Sequence, residues 1–395
     1  MDWGGRRIRQ RDPATRGPVR DEVAPAMVEV GMSRTKTAWL VETADGVEPF
    51  EVAWADLTGP HNATPFQNFG FMRLLFEHLR GLRPNEPVVA LVRRPDGRPA
   101  AIFPLMRSRR HGLVWLRTDA RPIDYCAPIF DPGLSPAEAG DTARAVLDAV
   151  PDADLLYCNR MSATFGDAAN PLVGLPNAAR LRLSAWVLRL AGRNRAEVVA
   201  TQTKKFRGHL RRSLKKLAST HEHGFTICFG DAIGEAEIAV FRDLRRESAE
   251  RKARGNIFEE REWHDFYRGL IEGRAAPLQA WLSRLEADGE TIAVLFGFTD
   301  GKRAVATLTA SKTDHRSSFT PGLLLFDETI ARFHEMQADF FDLSIGDMAY
   351  KRRFGSDEVP LYDALFARGI LGRLYYALWK VKTGIRSRMK KIADE

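Results

Sequence analysis

The sequence predicts an α/β protein with two similar halves. An amphipathic helix and a strand hairpin open the first half, and a helix followed by three strands opens the second. At 395 residues the chain is long enough to bury two hydrophobic cores. We therefore expect two domains in tandem, each with helices packed on a sheet.

The composition is that of an ordinary globular protein, with 44% hydrophobic and 28% charged residues. A net charge of +8 favours acidic partners, and a phosphorylated cofactor, an anionic membrane and nucleic acid all remain open. Cys126, Cys158 and Cys228 are scattered, which disfavours a disulfide framework or a zinc site. The sequence contains no apolar run of about 20 residues and begins without a secretory signal, so we expect a cytoplasmic protein.

The first half is predicted to span residues 36–195, after a disordered basic arm at 1–35 that is rich in Arg, Pro and Gly. Within it, TPFQNFGFMRLLFEHL has the apolar spacing of a helix. The turn residues at 95–97 separate two β-rich runs and predict a hairpin. A further helix, AEAGDTARAVLDAV, and a strand, ADLLYCNR, follow.

The second half is predicted to span residues 196–368 and to begin with a basic helix, KKFRGHLRRSLKKLAS. A thin apolar line through Phe206, Leu210 and Leu217 leaves the other faces cationic. We favour a structural helix that faces solvent or phosphate, and contact with nucleic acid, a substrate or a membrane is the alternative. Later, GNIFEEREWHDFYRGLI is interpreted as a loop on the acceptor side.

The stretch ADFFDLSIGDMAYKRRFG carries the main functional signal. It predicts a buried strand that ends at Gly346, followed by a carboxylate, a phenol and cations. A strand, a polar loop and a helix that opens at Pro321-Gly322 precede it, and the free N–H groups of such a helix suit a pyrophosphate. His315 and Arg316 add positive charge there. The alternative is a strand followed by a solvated basic loop.

The run from SFTPGLLLFDETI to ADFFDLSIGDMAYKRRF resembles the C-terminal signature of the CelD-like acyltransferases of the GNAT superfamily, which are associated with cellulose synthesis. The TPFQ segment and the loop at 124–128 also resemble this family, and the second half resembles the tandem-GNAT FemABX enzymes. The resemblance implies tandem GNAT-like domains with mixed central sheets, and acyl transfer in one half. The matching residues are Gly322, Leu324, Asp342, Gly346, Asp347, Tyr350, Lys351, Arg353 and Phe354.

The same resemblance implies that acetyl-CoA is the acyl donor. It also implies a set of site residues that act without a metal ion. The usual GNAT phosphate loop, Gln/Arg-x-x-Gly-x-Gly/Ala, is represented only by Arg316 and Gly322. The candidate catalytic residues are Asp342, Asp347, Tyr350 and Lys351, and the candidate residues for binding acetyl-CoA are Thr309, Ser311, His315, Arg316, Gly322 and Leu323. Asp347 and Lys351 are expected on a loop outside the core.

These observations favour transfer of an acetyl group to an amine or hydroxyl of a sugar or of a cell-envelope or exopolysaccharide precursor. A base, a proton donor and a phosphate cradle are the main requirements. The alternatives are a FemABX-like peptidyltransferase that uses aminoacyl-tRNA, and a non-catalytic scaffold in polysaccharide synthesis. Nucleic acid is otherwise a disfavoured partner.

The tail at 369–395 predicts an amphipathic basic helix. The sequence favours packing of its apolar stripe on the second domain. The alternative is peripheral docking on the anionic inner membrane, with Tyr375 and Trp379 at headgroup depth.

Overall fold

The computed structural model describes residues 31–34, 39–59, 63–80, 86–120, 122–165, 168–252, 261–312, 314–346 and 348–394. No helix in these ranges is long and apolar enough to cross a membrane.

The elements alternate along the chain as expected for an α/β protein. The strands are β1 (Gly31–Arg34), β2 (Leu40–Ala44), β3 (Glu86–Arg93), β4 (Pro99–Arg110), β5 (Leu113–Arg117), β6 (Ile129–Phe130), β7 (Leu155–Ser162), β8 (Thr164–Phe165), β9 (Ala168–Ala169), β10 (Ala178–Arg189), β11 (His223–Phe229), β12 (Gln279–Ala287), β13 (Glu290–Thr299), β14 (Arg303–Ser311), β15 (Phe340–Ile345) and β16 (Asp357–Ala367). The helices are α1 (Glu51–Leu57), α2 (Phe69–Leu79), α3 (Pro136–Ala149), α4 (Arg195–Thr201), α5 (Lys204–Thr220), α6 (Glu235–Lys252), α7 (Arg261–Ile271), α8 (Pro321–Glu335), α9 (Ala349–Arg353) and α10 (Gly369–Asp394).

One mixed sheet joins the two halves. Its order is β1-β2-β3-β4-β5-β7-β16-β10-β15-β14-β13-β12-β11, with β6 beside β4. The two central strands are exchanged between the halves, because β10 pairs with β15 of the second half and β16 pairs with β7 of the first. Each half therefore completes the sheet of the other. The predicted boundary between residues 195 and 196 remains a prediction.

Each half contains one short parallel strand pair. Residues 115–117 of β5 pair with 155–157 of β7, and residues 303–305 of β14 pair with 340–342 of β15. Both β14 and β15 continue for several residues past this pairing. The parallel pairing thus ends at Asp342, whereas the pairing of β15 with β10 on its other side extends from Phe340 to Ile345.

Both faces of the sheet are covered, because successive strand residues point to opposite sides. Val89 and Leu91 belong to a core under α1, α2, α6 and α7, whereas Ala90 and Val92 belong to a core under α3. A third core lies under α5 and α8, on the same face as α3. The helices thus form outer layers on a single central sheet.

Three expectations from the sequence need correction. Strand β1 lies inside the arm that was expected to be disordered. Residues 261–271 form α7 rather than a loop, because Phe266, Tyr267 and Leu270 bury one face. Residues 349–353 form the short helix α9, so Lys351 does not lie on a loop. The sequence analysis also did not identify β16 or the strand exchange.

Candidate functional site

A bulge in β15 shapes the centre of the site. Val187 of β10 pairs with Asp342, and Ala185 pairs with Ile345, so two residues of β15 face one residue of β10. Ser344 lies within the bulge at a φ of +62°, which costs energy for a residue other than Gly. This turn allows the Ser344 N–H to donate to the Asp342 Oδ1 at 2.8 Å.

The first half supplies the main partner of Asp342. The Tyr125 hydroxyl donates a hydrogen bond to the Asp342 Oδ2 across the junction of the halves. Tyr125 is held by the Phe66 ring at 5.1 Å, and the neighbouring Gln67 Nε2 donates to the Ala127 carbonyl at 2.9 Å. The TPFQ segment therefore positions the loop that presents Tyr125.

Burial dominates the electrostatics of Asp342. Its side chain has no exposed surface, and this burial raises the pKa of its carboxyl to about 7 despite the hydrogen bond from Ser344 and the nearby cation of Lys351. Asp124, which accepts a hydrogen bond from the Ser344 hydroxyl, is a second, half-buried carboxyl whose pKa is raised by burial. A carboxyl that titrates near neutral pH can both accept and return a proton.

Lys351 is a buried cation beneath the bulge. Its Nζ donates to the carbonyl oxygens of Ser344 at 3.0 Å and Ile345 at 2.6 Å. Burial lowers the pKa of this amine to about 8, while Asp342 and Asp124 oppose the shift. The expectation that Lys351 lies outside the core is wrong, because α9 turns the side chain inward under β15.

Tyr350 lies on the other face of the sheet. Its ring packs on Phe326 of α8 at 5.5 Å and on Phe354 at 6.4 Å. Burial raises the pKa of its hydroxyl to about 12. Asp342 and Tyr350 thus face opposite layers, with Lys351 between them.

The predicted donor-binding residues gather where β14 ends and α8 begins. A Cβ added at Gly322 would lie 3.7 Å from the Ser311 hydroxyl, so the two residues are neighbours with room for a small side chain. Thr309 donates to the Val294 carbonyl at 3.2 Å, and its own carbonyl accepts from Arg245 at 3.1 Å. Leu323 packs against the core under α5 and α8.

Helix α8 begins without a side-chain cap and without an acidic residue in its first turn, as far as the described residues extend. Thr320 precedes it in a left-handed conformation and contacts His209 at 3.3 Å and Ser213 at 3.2 Å. Lys216 donates to Ser318 at 3.2 Å. The basic helix α5 therefore lies beside the start of α8.

Arg316 is engaged within the protein. Its guanidinium contacts Glu290 at 2.5 Å and Asp314 at 2.7 Å, and these hydrogen bonds raise its pKa. Because its charge is already paired, α5 is the better source of positive charge beside α8. Asp347 and the side chain of His315 lie outside the described residues.

A cavity of about 270 Å³ opens on the Asp342 face, and Tyr125 forms part of its wall. Arg303 also lines it, with only 11% of the side chain exposed and its Nη1 3.7 Å from the Asp342 Oδ2. Arg303 and Arg189 both lie over the Phe340 ring, at 5.0 Å and 5.9 Å. The lining residues are Tyr125, Ser162, Thr164, Ala185, Val187, Arg189, Arg303, Phe340, Asp357, Glu358 and Val359.

Sequence reasoning selected Asp342 and Lys351 but missed Tyr125, Arg303 and Ser344. The loop that contains Tyr125 was noted as family-like without a role. Its contact with Asp342 joins residues 217 positions apart, and only the exchanged strands bring them together. The missed residues required the tertiary structure.

Comparisons with known proteins agree with this fold. Residues 204–352 match a family model described as an acetyltransferase (GNAT) domain. The chain resembles the crystal structure of FemX, with a TM-score of 0.56 and 12% identity over 83% of this chain and 97% of that one. The architecture is a tandem GNAT-like fold.

Two further solved structures are similar at lower TM-scores. A tandem GNAT protein from the clavulanic acid biosynthesis pathway has a TM-score of 0.49 and 15% identity, over 84% of this chain and 99% of that chain. The C-terminal domain of a putative lysylphosphatidylglycerol synthetase from Agrobacterium fabrum has a TM-score of 0.49 and 15% identity, over 85% and 96%. No curated protein matches the chain.

Proposed function

We propose that this protein is an acyltransferase that moves an acetyl group from acetyl-CoA to an amine or hydroxyl of a sugar or cell-envelope precursor. The observation that carries the proposal is Asp342, a fully buried carboxyl with a pKa of about 7, beside the cavity and at the end of the parallel pairing of β14 and β15. The GNAT domain match covers this residue.

Tyr125 connects the cavity to Asp342. Because Tyr125 lines the cavity and Asp342 does not, the acceptor gives its proton to the Tyr125 oxygen as it attacks the thioester carbonyl. Tyr125 passes its own proton to the Asp342 Oδ2, along the hydrogen bond that already joins them. The C–S bond then breaks, and the departing thiolate takes a proton back from Asp342 through the Tyr125 hydroxyl. Tyr350, which was expected to act as a general acid, lies on the other face of the sheet and has no part in this step.

The start of α8 suits the phosphates of a CoA donor. Its backbone N–H groups, the small Gly322 and the adjacent Lys216 favour an anion there. The parallel pairing of β14 and β15 ends at Asp342 while both strands continue, and their facing edges beyond this point suit an extended pantetheine chain.

Arg303 favours an acceptor with a negatively charged group. It is nearly buried, and its neighbour Asp342 is uncharged for part of the time near pH 7. A buried cation is stabilised by an anion that enters the same cavity. The sugar phosphates and uronic acids among envelope precursors meet this requirement.

Aminoacyl-tRNA is the second candidate donor, because exposed cations on α5 lie beside α8. Lys204, Lys205, Arg211, Arg212, Lys215 and Lys216 are exposed. A polyphosphate chain would bind such a surface with strong salt dependence. A non-catalytic scaffold is the third candidate, and it requires neither donor to bind.

Calorimetric titration with acetyl-CoA, and with charged tRNA in parallel, tests these candidates. We expect acetyl-CoA to bind and an assay of released thiol to respond to aminosugars and their nucleotide-linked forms. Binding of charged tRNA alone would support the second candidate. If neither donor binds to the folded protein, the acyltransferase proposal is wrong.

We place the reaction in the cytoplasm. Cys126, Cys158 and Cys228 are free thiols, which suits a reducing compartment. Measurement of the protein in separated cell fractions tests this location.

A further inference from the structure

Helix α10 has two apolar faces. One is aromatic and faces the protein: Tyr375 contacts the Trp115 ring at 4.9 Å, and Tyr376 and Trp379 pack on the same small core of β5, β7 and β16. The aromatic face therefore packs on β16 of the second half, as expected, and also on β5 and β7 of the first half. Tyr375 and Trp379, expected at headgroup depth, point toward the protein.

The second apolar face is aliphatic and open to solvent. Its residues recur at helical spacing on the side opposite the aromatic residues. Their exposures are 87% for Ile370, 63% for Leu371, 59% for Leu374, 63% for Leu378 and 62% for Val381. The other large hydrophobic residues described as exposed, Val52, Met336 and Met348, lie on separate segments. A continuous patch of this kind marks an interaction surface.

Positive charges surround the aliphatic face. Arg373 and Lys380 lie on one side of it and Lys382 on the other, at the same helical spacing. The sequence adds Arg386, Arg388, Lys390 and Lys391 in the last part of the helix.

A cavity of about 400 Å³ beside the start of α10 adds a second cationic feature. It is lined by Arg144, Arg368 and Arg373, together with Asp148 and Tyr376. Arg368 reaches the carbonyl oxygen of Asp148 at 3.2 Å, which holds its guanidinium at this wall. The size and charge of the cavity suit a phosphate-bearing headgroup.

We propose that α10 docks the protein on an anionic phospholipid bilayer. The aliphatic face lies at the boundary between headgroups and acyl chains, the flanking cations contact lipid phosphates, and one headgroup occupies the arginine-lined cavity. A second copy of the chain suits this face less well. A symmetric pair of these helices would bring their cationic flanks together.

Sedimentation of the full chain with vesicles tests the proposal. The vesicles contain phosphatidylcholine alone or an equal mixture with phosphatidylglycerol. We expect binding to the mixed vesicles only, and progressive release as salt is added. Leu374→Glu should weaken binding at least about tenfold, because it removes a buried aliphatic contact and adds repulsion. Arg373→Gln should weaken it about fivefold.

Val52→Glu is the matched control. It replaces another exposed aliphatic residue, 76% exposed on α1, and changes the net charge equally. It should bind vesicles as the unchanged protein does. Circular dichroism checks that each variant is folded.

Three results would overturn the proposal: no binding to the mixed vesicles, equal binding to both vesicle types, or equal losses in Leu374→Glu and Val52→Glu. Sedimentation velocity without lipid tests the alternative that a second copy of the chain covers the aliphatic face. A dimer that Leu374→Glu dissociates, together with absence of vesicle binding, would assign the face to a second copy.

Discussion

The two halves of the sheet have the same backbone irregularity but different chemistry. Two residues of β7 face one residue of β16 between Tyr362 and Ala364. In the same way, two residues of β15 face one residue of β10 between Ala185 and Val187. Arg160 has a φ of +51° in β7, in the place that Ser344 occupies in β15. The tandem fold therefore repeats the bulge itself.

The side chains at the equivalent positions differ. Asp342 pairs at the start of one bulge, and Cys158 pairs at the start of the other. Both are fully buried, but burial raises the pKa of the Asp342 carboxyl to about 7, whereas it moves the pKa of the Cys158 thiol far above neutral pH. Only Asp342 can exchange a proton near pH 7.

The N-termini of helices α3 and α8 also differ between the two halves. Both begin with Pro at the first position. In α3, Ser135 and Glu138 form a capping box that satisfies the helix N-terminus with a carboxylate. Helix α8 has neither feature among its described residues. The features that the proposed anion site and proton acceptor require are therefore found in the second half, and the equivalent positions of the first half lack them.

The largest expected effect is on turnover. Asp342→Asn should lower kcat about 100-fold to 10,000-fold, because it removes the group that accepts the proton. Cys158→Ala changes the equivalent position in the first half and should leave kcat unchanged. Release of thiol from acetyl-CoA with a confirmed acceptor provides the measurement. Equal losses in both variants would mean that the bulges have only a structural role.

The sequence predicted most elements but only part of the site. Helix α8 and strand β15 have regular apolar spacing, so local pattern was sufficient to predict them. Strand β16 lies between strands of both halves, and no local signal encodes such a placement. Likewise Asp342 could be chosen because it matches the CelD-like signature, but its partner Tyr125 could not, since their contact depends on the exchanged strands.

The pH profile should follow the titration of Asp342. Its carboxylate form accepts the proton, so kcat/KM should rise about tenfold per pH unit below about 7. Loss of the proton from Lys351, whose pKa is about 8, removes the buried cation and should lower the rate at higher pH. Lys351→Met should lose the alkaline decline and keep the acidic one. A profile unchanged in Lys351→Met would rule out this assignment.

Binding of the donor should depend on α8 and not on α3. Gly322→Asp should weaken acetyl-CoA binding about tenfold, because one carboxylate near the pyrophosphate cancels the attraction of the helix N-terminus. Gly322→Ala should bind nearly normally, since its methyl would contact Ser311 at an ordinary 3.7 Å. Ala137→Asp, at the second position of α3, is the matched control. Titration calorimetry should show a loss in Gly322→Asp alone; a comparable loss in Ala137→Asp would contradict the assignment.

The smallest expected effect is on stability. The folded-state pKa of Asp342, about 7, lies above the value of about 3.9 for an unfolded chain, so the folded protein holds this proton more tightly. The contribution of this carboxyl to stability is fully present below pH 4 and is lost as pH rises through about 7. The asparagine in Asp342→Asn cannot titrate. The melting temperature of this variant minus that of the unchanged protein should therefore increase by a few degrees between pH 5 and pH 8. The corresponding difference for Cys158→Ala should stay constant, because its thiol remains protonated over that range. Thermal melts followed by circular dichroism at each pH measure both differences, and a constant difference for Asp342→Asn would show that this carboxyl does not titrate near neutral pH.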